Sequence, residues 1–364
     1  MMGEPTQEQV ISIVSSIFNV RDINITLEKM EFEIDDEDFK LKFVTLAQKL
    51  ESIGIVCFLK KSDERLLIQV NRLPPEPGGL KFLSRAQIQR ILFGVVVAFV
   101  MVDGYYRTLG VNSIAFIGDP FDFAALYTLS LVGILGVHEA GHLVAARIHR
   151  VRTSWPYFIP GIPVIGLPTF GALIQSRGLT INRDILFDIA IAGPLAGLVI
   201  AIIVSFYGAY TSPVLDEFVA QSLPEGSLQE LNDSILMQIA LSAYGKGGSD
   251  VQVIMSPILF AAWLGFLITF LNLLPAWQLD GGHMARALFG QRMHRFATYG
   301  SVALLFALQY HIMALFILLF SSKNTSVRPL DDVSPLSKNR KYLYIAVIVI
   351  AFLCAPIPHS IWFK

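Results

Sequence analysis

From Phe123 to Ala146 the chain is apolar and long enough to cross a bilayer, and its only charged or imidazole side chains are His138, Glu139 and His142. That combination constrains the fold more than any other feature. On a helix, His138 and His142 at positions i and i+4 point the same way and can hold one Zn²⁺, with Glu139 beside the open coordination position as a general base. Two imidazoles and a carboxylate at membrane depth are costly unless a partner such as a metal repays them. A polar patch gluing helices together is the alternative, and it does not require this spacing.

With 54% hydrophobic and 16% charged residues among 364, the composition is that of a polytopic membrane protein. Close to half of the charged residues lie before position 90, so a soluble domain is expected ahead of a membrane domain. The net charge of -1 and the lack of a long basic run argue against a nucleic-acid partner. Only Cys57 and Cys354 are present, which excludes a disulfide framework and a cysteine-type zinc site. Met1 to Gln9 lacks a basic signal-peptide start, so targeting is expected to fall to the first spanning helix as an uncleaved anchor.

Residues 1–72 read as a small α+β unit. Val10, Val14 and Phe18 mark a first helix, Ile23 to Leu27 a strand, and Phe39, Phe43, Leu46 and Leu50 a second helix. Ile55 to Leu59 and Leu66 to Val70 are further strands, with Lys60 to Arg65 as their turn. The acidic run Asp35 to Asp38 is expected in the first turn of the second helix, where negative charge suits the dipole; it lacks the spacing of a calcium loop. Residues 73–87 form a Pro/Gly linker, and 88–364 the membrane domain.

Six spans are expected, at about 88–109 (interrupted at Asp103-Gly104), 121–147, 185–207, 255–289 (broken in the middle), 298–320 and 342–358. Positive residues before the first span and after the second place those ends, and the soluble domain, in the cytoplasm of a cell-membrane protein. The positive stretch from Asn324 to Lys341 then falls outside, against the rule, unless the fifth span is a re-entrant pair of short helices around Gln309-Tyr310-His311.

The fourth span breaks at Pro275 and at Gly281-Gly282, and broken backbone at membrane depth is tolerated only where it lines a protein cavity. Asp280 beside the break is a candidate third ligand. Its depth agrees with that of His138: each lies about 9 to 14 Å along a helix from the next arginine. His283 is a rival ligand or a cleft-lining side chain. His149, His294 and His359 fall at membrane boundaries as interfacial groups, and His311 with Gln309 suits interhelical bonding.

Together, His138-Glu139-x-x-His142, Asn272-x-x-Pro275 with Leu279-Asp280-Gly281-Gly282, Phe170-Gly171-Ala172 and Ala192-Gly193-Pro194 resemble the site-2 protease family of intramembrane zinc metalloproteases. The similarity covers about 115–320 and is greatest to the archaeal and plastid-type branch without a PDZ domain. It implies a six-helix core with Zn²⁺ between spans two and four, His138, His142 and Asp280 as ligands, Glu139 as base and Asn272 as an oxyanion-side donor. Read from the residues alone, Asn272 equally suits carbonyls freed by Pro275. The implied activity is peptide-bond hydrolysis in transmembrane protein substrates.

Trp155 to Ser176 carries no charge, but its prolines and glycines rule out a helix. It is expected to dip into the bilayer as a loop or β-hairpin, with Phe170, Gly171, Ala172, Leu173 and Ile174 on an edge strand that pairs with an unwound substrate. Gly171 is expected to permit close backbone approach. Two other classes fit less well. A metal-ion transporter commonly shows internal repeats, which are lacking, and an inactive homologue acting as a membrane chaperone would have lost Glu139.

Overall fold

The computed structural model describes residues 6–26, 29–62, 65–72, 85–164, 166–173, 180–215, 232–248, 251–321 and 328–356. The N-terminal part runs α1 (Gln7–Ser15), β1 (Val20–Ile25), β2 (Met30–Ile34), α2 (Phe39–Ser52), β3 (Ile55–Ser62) and β4 (Arg65–Arg72). Helix α1 starts at a reciprocal capping box between Thr6 and Gln9. The strands form an antiparallel sheet in the order β1-β2-β4-β3. Phe32, Ile34, Leu59, Ile68 and Val70 of the sheet share one buried core with Val10, Val14, Phe43, Leu46 and Leu50 of the helices. Burial in this core pushes the Cys57 thiol up to about 12, so it stays protonated and acts as a small apolar side chain.

The structure adds one strand to those expected and corrects one expectation. Strand β2 is central, although its alternation of Met30, Phe32 and Ile34 with Glu31 and Glu33 is short and charged enough to pass as loop. The acidic run precedes α2 instead of opening it: Asp38 is the N-cap without a side-chain bond. Asp36 accepts from the Asn19 N–H (2.8 Å) and pairs with Lys42, and Asp35 pairs with Arg21, so the run ties the β2–α2 turn to the start of β1. The linker at 73–84 lies outside the described residues.

Three helices are long and apolar enough to cross a membrane: α3 (Arg85–Asn112), α4 (Pro120–Ile148) and α5 (Arg183–Thr211). Between α4 and α5 lies an antiparallel hairpin of β5 (Tyr157–Pro160) and β6 (Thr169–Leu173). After α5 come α6 (Ile235–Ser242), the shorter apolar α7 (Pro257–Leu273), α8 (Asp280–Ala307), α9 (His311–Ser321) and α10 (Lys338–Cys354). Helix α4 packs chiefly on α5 and α3, and α5 also on α7. Lys246 closes the end of α5 by donating to the carbonyls of Ala209, Tyr210 and Ser212.

The span limits shift in instructive ways. Helix α3 is continuous through Asp103-Gly104 because other elements satisfy the carboxylate. The stretch expected as a broken fourth span forms α7 followed by the start of α8, which bends at Gly290 (φ 78°) and runs on to Ala307. There the chain turns through Gln309 (φ 66°), and α9 packs back on α8.

The segment after α9 returns to the N-terminal sheet. The Leu59 N–H donates to the Leu330 carbonyl (2.9 Å), while the N–H groups of Leu330 and Asp331 donate to Thr180 and Ile181 just ahead of α5. Asp332 takes both Nη groups of the buried Arg286 (3.1 and 2.7 Å) and also binds Arg183. Lys40 of α2 reaches Asp184 (2.8 Å) and the Pro335 carbonyl (3.0 Å). Ala146, Val151, Ile181 and Ile185 extend the N-terminal core into the helical part, so the two share one apolar interior.

Candidate metal centre

Helix α4 begins at Asp119, whose carboxylate accepts from the N–H groups of Phe121 and Asp122, with Pro120 in the first turn. Near its other end His138 and His142 lie on one face, edge to face with ring centroids 4.9 Å apart. Helix α5 makes room for both rings. A Cβ on Gly193 would lie 2.1 Å from His142 Nε2, and one on Gly197 would lie 2.9 Å from His138 Cβ. Gly141 reciprocates, since a Cβ there would meet the Ala192 carbonyl oxygen at 2.4 Å. Small residues on both helices thus bring the backbones together around the imidazoles.

The third group arrives from the break between α7 and α8. Leu274 leaves α7 extended, Pro275 cannot continue the helix, and Trp277 takes a positive φ of 46°. A Cβ on Gly281 or Gly282 would fall within 2.1 to 2.4 Å of carbonyl oxygens in 273–277, so only this glycine pair lets α8 fold back on the break. Asp280 is then the first residue of α8, where the helix N-terminus favours a carboxylate.

The three groups converge. His138 Nε2 and His142 Nε2 are 3.2 Å apart, and each stands 3.4 Å from a different oxygen of Asp280. Tetrahedral ligands on a metal bound at about 2.0 to 2.1 Å are about 3.3 Å from one another, so the spacing fits a zinc-sized ion. The protonation pattern fits too. His142 Nδ1 donates to the Ile189 carbonyl (2.7 Å), which leaves the Nε2 lone pair facing inward. Lone pairs and a carboxylate aimed at one point, nearly buried, repel one another unless a cation joins them.

Glu139, Asn272 and His283 line the same cavity of about 220 Å³. Asn272 Nδ2 lies 3.5 Å from His138 Nε2, so the side chain faces the centre; no bond from it to the carbonyls around Pro275 is found among the described residues. His283 stands on the wall, and the convergent set is His138, His142 and Asp280. From the hairpin, Ala172 reaches the cavity, whereas Phe170 is exposed. Gly171 has a φ of 94°, and a Cβ on it would meet open space. That φ favours glycine. The Leu173 side chain and Ile174 lie outside the described residues.

The other histidines divide. His149 pairs with Asp188 (3.0 Å) and is partly exposed, and His311 lies against the Phe306 ring. His359 is outside the described residues. His294, expected at an interface, is buried and bonded to the Trp277 carbonyl (3.0 Å), and Thr298 one turn on accepts from the Trp277 N–H (3.1 Å). These two residues clamp the strained corner ahead of Asp280, and sequence reading missed them. It also missed Gly197, whose four-residue spacing from Gly193 mirrors that of the two histidines.

Residues 126–316, just over half of the chain, match peptidase family M50. The chain belongs to peptidase family M50. That bears out the site-2 protease resemblance. Among curated proteins, the chain is 29% identical over 240 residues to the probable zinc metalloprotease EGY2, chloroplastic, of Arabidopsis thaliana, covering 62% of this chain and 41% of that protein. It is 33% identical over 184 residues to EGY1 of the same plant, covering 50% and 32%, and 25% identical over 367 residues to EGY3 of Oryza sativa subsp. indica, covering 92% and 57%. The chain thus spans about two fifths of the length of the first of these relatives. No solved structure matches it. Family and apolar helices together make this M50 chain a membrane-associated protein.

Proposed function

We propose that the protein is an intramembrane zinc metalloprotease that hydrolyses peptide bonds within or near the transmembrane segments of other membrane proteins. The observation that carries this reading is the convergence of His138, His142 and Asp280 at tetrahedral spacing beside Glu139, inside a helical, apolar part of the chain. The relatives' names as probable zinc metalloproteases support it. His138, His142 and Asp280 would hold a zinc ion, which when bound would supply an acidified water and an electrophile for a peptide carbonyl. Glu139 takes the proton from that water and returns it to the leaving amine. Asn272 directs its amide at the oxygen that gains negative charge. The transporter and chaperone readings account for neither residue.

The substrate must be extended to reach this cavity, because the bonds of a helix are shielded. In this reading the β5–β6 hairpin lies in the membrane, and β6 takes the unwound segment by strand addition along the edge that β5 leaves uncovered. Ala172 at the cavity wall supports that path. The soluble domain and 328–337 sit on one side of the bilayer with the positive end of α4, which we read as the cytoplasmic side. The relatives' printed names place them in chloroplasts, which leaves the cell membrane itself without support.

Purified full-length protein is expected to cleave a single-span test protein, to lose that activity to a zinc chelator and to regain it with added Zn²⁺. Cleavage indifferent to chelation would end the metalloprotease reading. Ala172→Pro, which removes one N–H from β6, is expected to keep zinc but cut cleavage by about tenfold, the scale of one or two hydrogen bonds. Unaltered turnover would remove strand addition at that position.

A further inference from the structure

We propose that Asp103 is a positioning residue for substrate: with Gln89, it makes α3 a back-plate that fixes the β5–β6 hairpin at the height where β6 meets the metal cavity. The inference rests on the protease reading above and deepens it.

Asp103 is fully buried in the middle of α3, where an acid is costly unless several groups repay it. Its Oδ2 is tied within the helices: Arg107 Nε donates to it (2.6 Å), as does the Tyr127 hydroxyl of α4 (2.8 Å). Arg107 is itself held over the Phe260 ring of α7, 3.7 Å from its centroid. Those bonds alone would explain a structural ion pair. Oδ1 does something else, reaching out to accept the N–H of Val164 (2.8 Å) in the turn between β5 and β6. Val164 has a φ of 72°, a conformation that a β-branched residue adopts only when surrounding contacts impose it. The carboxylate is such a contact.

The other end of the hairpin is fastened to the same helix. Gln89 Nε2 donates to the Trp155 carbonyl (2.7 Å) just before β5, and Phe93 packs edge-on against Phe158 of β5 at 5.0 Å. Positions 89, 93, 96, 100 and 103 alternate steps of four and three, so these groups share one face of α3. The two fastenings lie about 21 Å apart along the helix, enough to fix the hairpin from base to tip. Strand β5 lies against this face, and β6, with Ala172, faces the cavity. The height of β6 relative to the metal is therefore set from α3, through groups that never touch the metal. Releasing the tip lowers the fraction of molecules with β6 in place, which weakens apparent substrate binding by that fraction and spares the chemistry.

Removing Asp103 alone would strand Arg107, so the test compares two neutral double variants of the full chain, Asp103→Asn/Arg107→Gln and Asp103→Ala/Arg107→Gln. Both delete the ion pair, and only the first keeps an oxygen opposite the Val164 N–H. The alanine form is expected to show equal zinc content and kcat, a KM for a single-span test protein about tenfold higher, and faster amide hydrogen exchange in 157–164. Equal KM and equal exchange in the two forms would overturn the proposal, as would a loss of zinc or kcat without a change in KM. If either double variant fails to fold, Gln89→Ala probes the base of the hairpin: a raised KM at constant zinc supports the back-plate, and an unchanged KM overturns it. If the unaltered protein binds zinc but leaves the test protein intact, the protease reading fails, and the exchange comparison still decides whether Asp103 holds the turn.

Discussion

Glu139→Gln is expected to leave zinc content at the level of the unaltered protein and to lower peptide cleavage by about a hundredfold to ten-thousandfold, the range supplied by a positioned general base. The substitution preserves side-chain length and the ability to hydrogen-bond within the cavity that Glu139 shares with His138, His142 and Asp280. It removes only the capacity to take a proton. None of the three converging donor atoms belongs to Glu139, so the ion has no reason to leave. Zinc analysis and turnover measured on the same preparation separate the outcomes. Substantial residual cleavage would mean that another group, with His283 the nearest candidate on the wall, carries the proton.

The second large effect comes from a residue with no chemistry of its own. Gly193→Ala places a methyl carbon 2.1 Å from His142 Nε2, far inside van der Waals contact. The ring has little freedom to yield, because Nδ1 is held by the Ile189 carbonyl. Either the imidazole rotates off the donor set or α5 withdraws from α4, and both move a ligand. Loss of an outer partner of a metal ligand already costs about ten- to a hundredfold in affinity, and displacement of the ligand itself is expected to cost at least the upper figure. Gly136→Ala on α4 is the matched control, since its methyl would meet open space. Metal titration should separate the two variants clearly; equal affinities would mean that the helices accommodate the methyl without cost.

What the sequence disclosed follows from the range of the interactions involved. His138, Glu139 and His142 are legible because one turn of helix fixes their relation, and Asp280 because proline and glycine mark the break around it. Asp103 was read as interrupting its helix, because the groups that satisfy it, Tyr127 and Val164, stand 24 and 61 positions away. His294 was placed at an interface for the same reason: the backbone it serves at Trp277 is distant in sequence. Strand β2 was missed because Glu31 and Glu33 mask a three-residue apolar alternation that only pairing with β1 and β4 makes decisive. The identity of the ligand set was local information, and the devices that hold it in place were not.

Strand β3 is an edge of the N-terminal sheet, and its partner at that edge is the stretch around Leu330, which also lies on Thr180 and Ile181. Lys40 and Pro335 meet across 295 positions of chain. Until the stretch around Leu330 has been made, the edge at β3 lacks that partner, and open edges invite pairing with other chains. Biogenesis of this protein has a late stitch: the segment around Leu330 closes the edge of the N-terminal sheet and fastens it to the residues just ahead of α5 in one act. A chain that ends before residue 328 lacks that stitch, however well its metal ligands are placed.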